Sequence, residues 1–149
     1  MKSFLTPTST KSNRLLILLW VAICCGSLIA AFAVGISDNL SGLTLCYISA
    51  ISAILIFAHA WRKVRYFLVL LGASLVGFAL CAILHNAFYA LGQMAADASV
   101  LRVLLEVFHV VFFLIAVFVC PAGFLVGTVG SIITVITYFK KKQAQDKSA

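Results

Sequence analysis

Val100–Lys142 reads VLRVLLEVFHVVFFLIAVFVCPAGFLVGTVGSIITVITYFKKK, and the number of membrane crossings in this chain depends on it. The apolar part, Val100 to Phe139, would be near 60 Å long as one straight helix at about 1.5 Å per residue. That is about twice the thickness of a hydrocarbon core. Cys120-Pro121-Ala122-Gly123 interrupts the run. Proline has no amide hydrogen to donate, and its ring clashes with the carbonyl four residues back, so a kink is expected at Pro121. Two arrangements follow. The run is one long bent span whose first part protrudes or lies at the interface, or it is two spans joined by a tight turn.

Charge separates the two. The basic residues form three clusters: Lys2, Lys11 and Arg14; Arg62, Lys63 and Arg65; and Lys140, Lys141, Lys142 and Lys147. Cytoplasmic loops carry the excess of Lys and Arg. Four spans with both termini cytoplasmic place ten of the eleven Lys and Arg on that side and leave only Arg102 outside, with Asp38 and Asp97. Five spans would export the triple lysine. The expected fold is therefore an all-α integral membrane protein, a four-helix transmembrane bundle whose last helix is long and kinked at Pro121.

Composition requires the same class. Of 149 residues, 64% are hydrophobic and 10% charged, whereas soluble domains are about 45–50% apolar and about 25% charged. A soluble fold of this length has too little interior to hide that much apolar surface. The net charge of +7 does not indicate nucleic-acid binding, because the positive residues flank apolar runs. Working outward from the last span, the chain divides into a basic disordered tail (1–14), one transmembrane domain (15–139) and a second basic tail (140–149). The spans are expected at about 15–36, 43–61, 66–92 and 100–139. Ala31-Phe32-Ala33 has the form of a signal-peptide cleavage site, but the preceding apolar run is longer than the usual ~7–15 residues, so it reads as a retained span. The basic tails suit contact with anionic lipid.

Small residues mark faces for close helix packing. Ala22, Gly26 and Ala30 make one such stripe, Ser49 and Ala53 a pair, and Gly123 and Gly127 a G-x-x-x-G followed by Gly130 and Ser131. The last of these is expected to pack within the chain. Five cysteines lie scattered in apolar segments without a C-x-x-C, which indicates neither a disulfide framework nor a thiolate metal site.

The polar chemistry gathers between Leu84 and Phe113. Arg102, Glu106 and His109 recur at helical spacing on one face, as do Phe78, Cys81, His85 and Tyr89. With the connecting turn centred at Ala95–Ala96, His85 lies level with Glu106, Tyr89 with Arg102, and His109 one turn deeper. Asn86 falls to one side. Three uses fit this set. It is an interhelical lock without chemistry; or His85, Glu106 and His109 ligate a metal, or the two histidines a haem iron; or Glu106 and its histidines handle protons or ions. The Glu-x-x-His motif occurs only once, and no G-x-S-x-G, H-E-x-x-H, P-loop or dinucleotide fingerprint is present. The expected function is that of a small, non-enzymatic accessory or interaction subunit of the cell inner (plasma) membrane. It would pack as a homo-oligomer or in a larger membrane complex. The alternatives are an intramembrane metal or haem protein and a small ion-coupled transporter.

Overall fold

The computed structural model describes residues 10–36, 39–95 and 100–146. Among the described residues every regular element is a helix: α1 (Thr10–Val34), α2 (Leu40–Ala58), α3 (Val64–Met94), α4 (Val100–Leu114), a π-helical turn (Ile115–Val119) and α5 (Cys120–Asp146). Four helices are long and apolar enough to cross a membrane: Asn13–Val34, Leu40–Ala58, Val64–Met94 and Val100–Asp146. They are compatible with a transmembrane helical bundle. The helices outrun the expected spans at several ends. Helix α1 begins at Thr10, inside the segment expected to be disordered, and α5 continues through the lysines to Asp146. Once a span has nucleated a helix, adding a turn costs little.

Packing divides the chain into two compact units, Met1–His59 and Ala60–Ala149. In the first, Asn39 fastens both ends of the α1–α2 turn. Its Oδ1 accepts from the Ser41 amide at 3.0 Å, and its Nδ2 donates to the Val34 carbonyl at 3.2 Å. One side chain thus caps the start of α2 and the end of α1. Gly35 supplies the left-handed residue after α1, with φ 90°. Gly42 passes so close that a Cβ there would collide with the Gly35 carbonyl. Further along, Ser49 Oγ donates to the Cys24 carbonyl at 3.0 Å, and Ser27, Ala31, Cys46 and Ser49 are buried. The packing side of α1 is therefore that of Cys24, Ser27 and Ala31. The stripe Ala22-Gly26-Ala30 is not the face that meets α2: Ala22 and Gly26 are exposed, and nothing stands within 4 Å of a Cβ at Gly26.

The second unit is α3 packed along the continuous α4–α5 helix. There is no tight turn at Pro121. The run from Val100 is a single helix, and its departure from α geometry is the π turn just before the proline. Widening the helix there accommodates a residue that cannot donate to the carbonyl four back and would clash with it. The seam below this point uses small residues. A Cβ at Gly127 would lie 2.9 Å from the Phe67 carbonyl oxygen, and Cβ atoms at Gly123 and Gly130 would collide with Ser74 and Phe67. The G-x-x-x-G therefore packs within the chain, as expected. On α4, Val103, Leu104, Val107 and Val111 are exposed while His109 meets α3. Apolar side chains outward and a polar one inward is the arrangement that lipid favours.

Candidate functional site

The polar cluster lies where α3 meets α4, and the register of that pairing decides its geometry. Cβ atoms at Gly92 and Gly77 would stand 3.8 Å from Leu105 Cβ and 3.5 Å from Cys120 Sγ. Both pairs are centred at residues 98–99, about three residues beyond the expected turn centre. That displacement carries α4 by about six residues, more than one and a half helical turns. His85 therefore does not lie level with the Glu106 side chain. It lies against His109 and Phe113, with ring centroids 5.0 and 5.2 Å apart.

Two hydrogen bonds fix the imidazoles. His85 Nδ1 is 2.9 Å from the His109 carbonyl oxygen across the seam, and His109 Nδ1 is 3.0 Å from the Glu106 carbonyl on its own helix. A carbonyl only accepts, so both rings donate through Nδ1–H, and each neutral ring carries its lone pair on Nε2. Tyr89 completes the layer with its ring 5.6 Å from that of His109. Asn86 donates to the Ala82 carbonyl one turn back at 2.8 Å, which leaves it to one side as expected.

Glu106 is directed elsewhere. Its carboxylate accepts from Arg102 Nε at 3.4 Å, an i,i+4 ion pair along α4. With His109 it borders a cleft of about 180 Å³ whose other walls include Phe88, Tyr89 and Gln93. Of the three expected ligands, then, His85 and His109 come together, and Glu106 shares a cleft with His109 alone. Among the described residues no group of three or more His, Cys, Asp or Glu is placed to hold a metal ion.

The aromatic shell was not anticipated. Phe88 stacks on Phe108 and Phe112 at 5.4 and 5.5 Å, one turn from the histidine pair. The signal was present in the i,i+4 spacing of Phe108 and Phe112, which puts two rings on one face of α4. These stacks add to burial by about 0.5–1.5 kcal/mol per pair. The half-buried histidines thus have aromatic rings as neighbours on both helices.

Compared with known proteins, the chain matches no family model, and no curated protein and no solved structure is significantly similar to it.

Proposed function

We propose that this chain is a four-span integral protein of the cell inner (plasma) membrane, with both termini cytoplasmic, acting as a non-enzymatic accessory or interaction subunit. The supporting observation is how the polar cluster is engaged. His85 is tied to the His109 carbonyl, His109 to the Glu106 carbonyl, and the Glu106 carboxylate to Arg102. The cluster works as a clasp between α3 and α4. Orientation follows from charge, with Arg62–Arg65 and Lys140–Lys142 at the cytoplasmic face. The opposite ends of α3 and α4, with Gln93 and Arg102, then lie toward the outer side, where the length of the run in excess of the hydrocarbon core protrudes. The exposed apolar sides of α4 and α5, including Val107 and Leu125, are left to lipid and to a protein partner or a second copy.

Photo-crosslinking from Val107 and Leu125 in native membranes tests this. The expected result is a discrete protein adduct at one or both positions. Lipid adducts alone, together with ion-coupled flux in liposomes that Glu106→Gln abolishes, would overturn it in favour of a transporter.

One observation favours a second reading. Metal-ligating histidines commonly donate their second ring N–H to a backbone carbonyl, as His85 and His109 do through Nδ1. A metal or haem iron bound through the two Nε2 atoms is the reading that the clasp has to be tested against.

A further inference from the structure

The cytoplasmic end assigned above holds a second feature. The segment Trp61–Val64 and the end of α5 enclose a groove of about 690 Å³. Trp61, Ile133 and Tyr138 line it together with Arg62, Lys63 and Lys141. Among the described residues no carboxylate lines it. Arg65 is occupied nearby, donating to Tyr66 Oη at 3.2 Å with its guanidinium 5.0 Å from the ring centroid. Arg62, Lys63 and Lys141 have no ion-pair partner among the described residues. Their charge is therefore uncompensated by the described residues, in a groove whose lining is mostly apolar.

We propose that this groove binds an anionic phospholipid, its phosphodiester held by Arg62, Lys63 and Lys141 and its chains lying against Ile133 and Tyr138. The inference rests on the reading that this end of α3 and α5 lies at the membrane face. Charge complementarity selects the occupant. A zwitterionic headgroup would bring an ammonium among three cations, and a free phosphate would leave the apolar walls uncovered. Basic pockets between helices on the cytoplasmic side are where anionic headgroups settle, and Trp and Tyr rings favour the same depth. The signal in the sequence is that the basic clusters after Trp61 and Phe139 each adjoin aromatic residues. Only the fold brings the two together.

The chain has two tryptophans, so Trp20→Phe leaves Trp61 as a reporter inside the groove. The full chain with that change is placed in phosphatidylcholine bilayers. These are titrated with phosphatidylglycerol or phosphatidylcholine brominated near the headgroup end of the chains. Brominated phosphatidylglycerol should half-quench Trp61 at roughly a tenfold lower mole fraction than brominated phosphatidylcholine. Lys63→Gln with Lys141→Gln should bring the two curves together, whereas Lys140→Gln with Lys142→Gln should leave most of the gap. Coincident curves in the unsubstituted groove would overturn the proposal. So would a gap lost equally in both lysine pairs, which is diffuse attraction to the tail. A gap closed by inorganic phosphate, but not by chloride of equal ionic strength, would assign the cations to a free anion and overturn it too. Absence of quenching by either lipid would remove the membrane placement on which the proposal depends.

Discussion

His85 Nδ1 donates to the backbone carbonyl of His109, 2.9 Å away on the facing helix. The acceptor belongs to the main chain, so the bond does not need the His109 side chain. The two histidines are therefore unequal, although their rings stand only 5.0 Å apart.

This inequality gives the first prediction. His85→Ala removes the cross-seam hydrogen bond and the ring contacts, whereas His109→Ala removes only ring contacts and a bond within its own helix. Interhelical hydrogen bonds in membrane proteins are worth about 0.6–2 kcal/mol. Denaturation in detergent should show His85→Ala as the less stable of the two by about 1 kcal/mol. Equal losses would mean that the rings, not the bond, carry the contact.

Glycine scanning separates the seam from the surface. Gly127→Ala places a Cβ 2.9–3.0 Å from Phe67 and Leu71 backbone and side-chain atoms, and should cost about 1–3 kcal/mol. Gly26→Ala meets nothing within 4 Å and should stabilise α1 by up to about 1 kcal/mol, since alanine is the better helix former. The same unfolding assay checks both, and a costly Gly26→Ala would place α1 against another surface.

Topology is checked by thiol labelling in a cysteine-free background. Arg62→Cys and Lys142→Cys should react only with reagent supplied from the cytoplasmic side, and Gln93→Cys only from the opposite side. Labelling of Arg62→Cys and Lys142→Cys from different sides would mean an odd number of crossings between them.

Much of the fold was legible in the sequence because long apolar runs and small-residue spacing are coarse signals. Apolar run length marks four helices, and the spacing of Gly123 and Gly127 marks a close seam. The register of the histidine pair was not legible. It depends on how the two helices slide against each other, and the pairs Gly92–Leu105 and Gly77–Cys120 centre that pairing at residues 98–99 instead of Ala95–Ala96. The face of α1 that meets α2 was not legible for a related reason. Ala22, Gly26 and Ala30 have the right spacing, but the rotation of α1 follows from the Gly35–Gly42 approach and from Ser49 reaching the Cys24 carbonyl. The π turn was anticipated only as a disturbance at Pro121. That it is absorbed within one helix follows from the unbroken seam on both sides, with Gly92 against Leu105 and Gly77 against Cys120.

The most direct test of the clasp is metal analysis with a visible absorption spectrum on protein purified from native membranes, beside His85→Ala and His109→Ala. A structural clasp predicts a colourless protein without stoichiometric metal, and no spectral difference among the three. Stoichiometric metal or a haem band in the unsubstituted chain, lost in both variants, would contradict it and make the histidine pair a ligand site.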